Sequence, residues 1–212
     1  MSLISYHKKF IFFHLYKCGG NSLRKVLNQS DSHAIEWGGV HGLPDDVRKH
    51  YLKEDKLDVF NNFYKFTFIR NPYDFMVSTY FYGKSYPNHF MHNDINNNNM
   101  TMVEFIPYYM NIREKHLFKN ERPFGSNKVV TIKDWLHDTN GNMIMDYVGK
   151  LESIQSDTKK LLKHLNIPES QVPVVNVNPN RDKNYRKYYN ETSKNMIKQY
   201  FDWELETYKY IF

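Results

Sequence analysis

Two short stretches of this chain carry residue types suited to gripping an anion. The first is Lys17-Cys18-Gly19-Gly20-Asn21-Ser22. An apolar run, Phe10-Ile11-Phe12-Phe13-His14-Leu15, precedes it, and Leu23, Val26 and Leu27 follow at helical spacing. The pattern reads as strand, tight glycine loop and helix N-terminus. Backbone N–H groups of such a loop converge on one small space, the helix dipole adds partial positive charge, and Lys17 adds a full one. Because the lysine precedes the glycines, this is not the G-x-x-x-x-G-K-[ST] loop of nucleoside triphosphatases.

The second stretch runs from Arg70-Asn71-Pro72-Tyr73-Asp74 to Ser78. Arg70 ends a strand-like run over 64–70. Asn71 is a good helix N-cap and Pro72 suits the first helical position. Asn71, Asp74 and Ser78 then share a helix face, so Ser78 looks back toward the strand end. An arginine fork with a nearby hydroxyl is a sound phosphate grip. The strand–turn–helix unit thus occurs twice, each time with a basic residue at the turn. This predicts an α/β fold with a central, mostly parallel sheet flanked by helices and ligands beyond the strand C-termini.

The rest of the chain must position these turns. Helices are expected near 44–52, over 101–110, over 154–165 with Leu161, Leu162 and Leu165 on one face, and over 192–208. Strands are expected at 129–132 and 143–151, flanking a turn at Asn140-Gly141. The asparagine-rich stretch 93–100 reads as a loop. No repeat or linker divides the 212 residues, so a single domain over 1–212 is expected.

Composition narrows the class. Hydrophobic residues make up 41% and charged residues 25%, as in a soluble globular domain with a buried core. The net charge of +6 favours anionic partners, with no charge block long enough for a nucleic-acid arm. The only cysteine, Cys18, leaves neither a disulfide framework nor a cysteine-based zinc site. No apolar run reaches membrane-spanning length and no signal peptide is evident, so a cytoplasmic protein is expected. His89-Phe90-Met91-His92 has metal-like spacing but no acidic third ligand nearby, so no metal is expected.

Taken together, the two stretches resemble the phosphoadenosine-phosphosulfate-dependent sulfotransferases, in particular the carbohydrate-type branch with its P-loop-containing nucleotide-binding fold. Residues 13–23 are similar to that family's 5′-phosphosulfate loop, with Tyr16 in place of its usual proline and Asn21 in place of its usual threonine. Arg70 to Tyr80 resembles its 3′-phosphate motif. Tyr147-Val148-Gly149-Lys150-Leu151-Glu152 and the aromatic segments 185–189 and 208–212 resemble later family elements.

The resemblance implies 3′-phosphoadenosine 5′-phosphosulfate as co-substrate. Lys17, Cys18, Gly19, Gly20, Asn21 and Ser22 would hold its 5′ end. Arg70, Ser78 and Arg181 would hold its 3′-phosphate. Lys17 would stabilise the leaving group without a metal. The implied acceptor is a hydroxyl, on a glycan or glycolipid. His41, in Gly38-Gly39-Val40-His41-Gly42, is the candidate general base: it lies between the two motifs, and imidazole titrates near neutrality. His14 and Glu152 are rivals, the first expected in the core and the second in a structural hydrogen bond. Two other functions fit the same residues: a P-loop kinase or nucleotidase, and a catalytically inactive nucleotide- or glycan-binding module.

Overall fold

The computed structural model describes residues 2–37, 44–112, 132–138, 140–175 and 177–212. Its centre is a five-stranded sheet of β1 (Ser2–Ser5), β2 (Phe10–Phe13), β3 (Ile35–Trp37), β4 (Tyr64–Ile69) and β5 (Tyr147–Lys150), in the order β3-β1-β2-β4-β5. The β2–β4 and β4–β5 pairings are parallel, with Phe12 opposite Phe66 and Phe66 opposite Tyr147. β1 runs antiparallel to both of its neighbours, so it alone points the other way.

Alternation along the strands divides the core into two layers. Phe10 and Phe12 of β2, Phe66 and Phe68 of β4 and Leu3 of β1 point to one face. There they pack against Leu23, Val26 and Leu27 of α1 (Gly20–Ser30) and Leu161 and Leu162 of α8 (Ile154–His164). Ile4, Ile11, Phe13 and Ile69 point to the other face. That layer includes α2 (Pro44–Lys53), α3 (Leu57–Asn62), α4 (Pro72–Ser85), α5 (His92–Asn97), α6 (Met102–Ile112), α7 (Ile132–Leu136) and α9 (Glu191–Tyr200). The continuous Phe-Ile-Phe-Phe run of β2 is what a strand covered on both faces requires.

Several expectations are corrected. The asparagine-rich stretch is not a loop. It contains helix α5, held by fully buried Ile95, and Asn96 and Asn98 donate back to the carbonyls of His92 and Asp94. Residues 129–131 lie outside the described residues, and Ile132 opens helix α7 rather than ending a strand. The strand expected over 143–151 is confined to β5. Met143 forms only an isolated bridge to His137 across the Asn140-Gly141 turn. The helix expected over 192–208 breaks at Phe201 into α9 and α10 (Asp202–Thr207). Strands β1 and β3 were not anticipated: β1 is four residues ending in serines and β3 a three-residue edge strand, each too short for a periodic signal.

The parallel trio β2, β4 and β5 ends on one edge of the sheet. The Lys17 loop follows β2, the Arg70 turn follows β4, and a 3₁₀ turn carrying Glu152 follows β5. Asn71 joins these parts. Its side-chain carbonyl caps α4 by accepting from the N–H of Tyr73 at 3.0 Å. Its amide donates to the carbonyl of Ile211 at 3.0 Å and to the Tyr185 hydroxyl at 3.3 Å, and its backbone N–H donates to Glu152 Oε1 at 2.7 Å. Replacing Asn71 by alanine removes the cap and both amide bonds. The expected loss is about 1–2 kcal/mol of stability, read as a lower urea midpoint at unchanged slope.

Candidate active site

The turn after β2 is built from backbone geometry that only part of the sequence makes easy. Lys17 has φ +57° and Gly19 φ +80°, while Cys18 and Gly20 do not have positive φ. A left-handed conformation costs glycine little, but a lysine holds it only when other contacts fix it. The fixing contact is visible: Arg70 Nη1 donates to the Lys17 carbonyl at 3.1 Å. Gly20 starts α1 in close contact with His14, where a Cβ would sit 1.8 Å from the imidazole. Ser22 and Leu23 direct their N–H groups back to the Gly19 carbonyl. The opening N–H groups of α1 have no intrahelical acceptor, and successive left- and right-handed residues gather such groups into an anion-binding concavity.

The turn after β4 supplies the second cation. Arg70 Nε donates to Asp74 Oδ2 at 2.7 Å, and Arg181 pairs with the other oxygen of the same carboxylate. Arg181 arrives from a distant segment clasped onto α4. Asn178 donates to the Phe81 carbonyl and the Ser85 hydroxyl, both at 3.0 Å, and Tyr188 packs on Phe81. One carboxylate therefore serves two guanidiniums, with Lys17 close by.

Burial, and for Lys17 and Arg181 the neighbouring cations as well, lowers the pKa values of the cluster. Burial, with Arg70 and Arg181 nearby, brings the Lys17 ammonium down from 10.5 to about 8. Burial and Arg70 bring Arg181 down to about 10, and burial lowers Arg70 as well. The Lys17 ammonium lies 3.8 Å from the centre of the Tyr82 ring, a cation–π contact.

Asp74, Ser78 and Tyr82 follow one another at i, i+4 along α4. Each is only half-buried on a helix whose Phe75, Met76, Val77, Thr79 and Tyr80 are buried. Ser78 therefore lies on the open stripe between the Arg70–Asp74 end and the Lys17–Tyr82 end.

The expected residues are placed as follows. Lys17, Arg70 and Arg181 come together. Cys18 and Ser22 are buried in the loop and first turn of α1, whereas Asn21 is exposed. His14 is buried against Gly20 and Phe12. Glu152 uses both oxygens, accepting from the Asn71 N–H and from the Tyr210 hydroxyl at 3.2 Å. His41 lies outside the described residues. Among the described residues, no group of three or more His, Cys, Asp or Glu side chains is arranged to hold a metal, and no helix is long and apolar enough to cross a membrane.

Sequence reasoning missed the parts played by Asp74 and Tyr82. Continuing the 74–78 spacing by one more turn points to Tyr82.

Comparison with known proteins agrees with this construction. The sulfotransferase family pattern matches residues 2–210, so the chain belongs to the sulfotransferase family and is a transferase of sulfuryl groups to hydroxyl-bearing acceptors. It is also 27% identical over 129 residues to an uncharacterized protein of Archaeoglobus fulgidus, covering 61% of this chain and 88% of that protein. No solved structure matches it.

The lowered pKa of Lys17 has a definite consequence for stability. An unfolded lysine keeps its proton to its ordinary 10.5, and the folded one loses it through about 8. Between these values the unfolded chain binds more protons, so this residue's contribution to stability rises with pH, and below about 8 its penalty is complete. An anion beside the ammonium reverses the shift. Inorganic sulfate, which has no proton of its own to lose at this pH, is therefore expected to bind with proton uptake near pH 8 and more weakly above it. Calorimetry in two buffers of different ionisation enthalpy measures this, and uptake near zero would contradict the placement of Lys17.

Proposed function

We propose that this sulfotransferase moves a sulfuryl group from 3′-phosphoadenosine 5′-phosphosulfate to a hydroxyl of a carbohydrate. The observation that carries the reading is the contact between Arg70 and the Lys17 carbonyl. It joins two basic turns 53 residues apart, with Arg181 added to the same carboxylate as Arg70. Three cations around one acid leave positive charge for an anion with phosphate at both ends. The carbohydrate acceptor rests on the resemblance of the two motifs to the carbohydrate-type branch.

In this reading the opening N–H groups of α1 and the Asn21 and Ser22 side chains hold the 5′-phosphosulfate, with Cys18, Gly19 and Gly20 shaping the loop. Arg70, Ser78 and Arg181 hold the 3′-phosphate, which distinguishes this donor from ATP. Sulfuryl transfer, like phosphoryl transfer, needs positioning and charge stabilisation more than covalent participation by the protein. The Lys17 ammonium meets the charge that develops on the bridging oxygen as the sulfur–oxygen bond breaks. Its strength as a donor depends on remaining protonated, which the anion itself ensures. The acceptor hydroxyl must also lose a proton. The sequence offers His41 for that step.

Lys17→Ala is expected to lower kcat about 10²–10³-fold, as loss of one donor to a developing oxyanion does. Its affinity for 3′,5′-adenosine bisphosphate should change far less. Arg70→Lys keeps the charge but loses the fork that spans Asp74 and the Lys17 carbonyl. It should weaken the bisphosphate about tenfold or more, the worth of a charged hydrogen bond, and weaken adenosine 5′-phosphate less, through the released Lys17 turn alone. Titration of both nucleotides against both variants tests the assignment, and equal losses for the two nucleotides would refute it.

A further inference from the structure

Beyond Ser78 along α4, the described residues bring together a row of rings that the donor site does not use. Tyr82, which carries the Lys17 ammonium on its face, lies 4.5 Å from the Tyr86 ring and 5.1 Å from the His89 ring, centre to centre. His89 in turn lies 4.6 Å from Phe90. The inner rings, Tyr82 and His89, are half-buried. The outer ones, Tyr86 and Phe90, are 45% and 56% exposed, so the row runs from the lysine out to solvent.

The row is fixed by its backbone. The Tyr86 carbonyl accepts from the His89 N–H at 2.9 Å across Pro87 and Asn88, with proline at the turn position its φ suits. The His89 carbonyl accepts from the His92 N–H at 2.8 Å, and Met91 between them is fully buried. The His89 ring belongs to this frame. The Met91 N–H donates to its Nδ1 at 3.3 Å, so the neutral ring carries its proton on Nε2, 3.4 Å from the Tyr16 hydroxyl. Burial, then Lys17 and His92, hold that ring below its ordinary 6.5, so it is neutral at physiological pH. Two large rings left open on a fixed turn forgo burial that would stabilise the fold, and such patches mark ligand surfaces.

We infer that Tyr86 and Phe90 are specificity-determining residues, an acceptor shelf on which a pyranose ring of the glycan lies by its C–H face. The inference rests on the sulfuryl-transfer reading and deepens it. In that reading a donor stretched from Arg70 to the glycine loop brings its sulfuryl group to the Lys17 end. Tyr82 touches both Lys17 and Tyr86, so it joins that end to the shelf. A pyranose has the two sides this surface asks for. Its C–H groups gather on one face, and its hydroxyls project around the rim. The C–H face covers an open aromatic ring, while the hydroxyls stay in water or turn toward the sulfuryl group. A phenol or a lipid alcohol asks instead for an enclosed apolar pocket that takes it out of water. Rings half open to solvent do not offer that enclosure.

The experiment compares wild type with Tyr86→Ala, Phe90→Ala and Phe90→Trp in the full chain, using labelled phosphoadenosine phosphosulfate. The acceptors are unsulfated oligosaccharides of uronic acid–hexosamine and galactose–hexosamine type, with 4-nitrophenol and a long-chain alcohol as hydroxyls without a sugar ring. Wild type should transfer to an oligosaccharide and to neither of the other two. Each alanine variant should melt with wild type and raise the KM for that oligosaccharide about three- to tenfold, the worth of one ring contact. Affinity for 3′,5′-adenosine bisphosphate should stay within about twofold. Phe90→Trp should keep the wild-type KM, because it restores the ring face. An unchanged KM in either alanine variant overturns the inference. Transfer to 4-nitrophenol or the alcohol but to no oligosaccharide overturns it too, as does a wild type that binds the bisphosphate and sulfates nothing in the panel. In these cases the bound bisphosphate leaves the donor reading standing. A wild type that neither binds the bisphosphate nor breaks down the donor overturns both.

Discussion

Arg70 donates to the carbonyl of Lys17, and the geometry of the site depends on that bond. Without it only the Cys18 N–H bond to the Leu15 carbonyl and the Tyr82 ring would hold a lysine at φ +57°, and the loop that aims the opening N–H groups of α1 would have an easier path. The same guanidinium forms the Asp74 pair, which in turn receives Arg181. One side chain thus sets the shape of the first turn, the charge of the second and the seat of the third cation. Parallel pairing of β2 with β4 makes this possible, because it ends both strands on one edge and places their turns side by side.

The electrostatic arrangement is costly to the empty protein and useful to the loaded one. Lys17, Arg70 and Arg181 lie near one another, and the pKa values of Lys17 and Arg181 are lowered by burial first and then by the other cations. A second acid beside Asp74 would relieve that repulsion and remove the reason for an anion to bind. Glu152 is near enough to influence Arg70, yet its oxygens are spent on the Asn71 N–H and the Tyr210 hydroxyl, holding the turn rather than neutralising it. Membership of the sulfotransferase family gives this imbalance a purpose, since a sulfuryl donor is an anion whose charge moves during reaction.

Much of this was legible in the residues. The apolar run before Lys17 and the Asn71-Pro72 start after Arg70 identify two parallel strand ends and the helices that follow, because buried strands and capped helices leave local marks. The marks fail where stability comes from elsewhere. Asparagine propensity argues for a loop at 93–100, but a single buried isoleucine, Ile95, and the back-bonding of Asn96 and Asn98 are enough to wind it into a helix. β1 and β3 exist through pairing rather than pattern. Asp74 reads in sequence as one more polar position on the helix. Only the folded chain, which brings Arg181 across to it, makes it the hub of the cluster.

The bond from Asn71 to Ile211 spans 140 residues, and Tyr185 reaches the same side chain across 114. Arg181 likewise comes from the last fifth of the chain. A ribosome releasing this polypeptide exposes the glycine loop and the Arg70 turn long before those partners have been made. The nascent chain therefore carries the Lys17 loop and the Arg70–Asp74 pair before the segments that hold their turns in place have been made. Under the proposed reading, donor affinity then depends on segments that fold onto the two turns from far along the chain, and it reports on their docking.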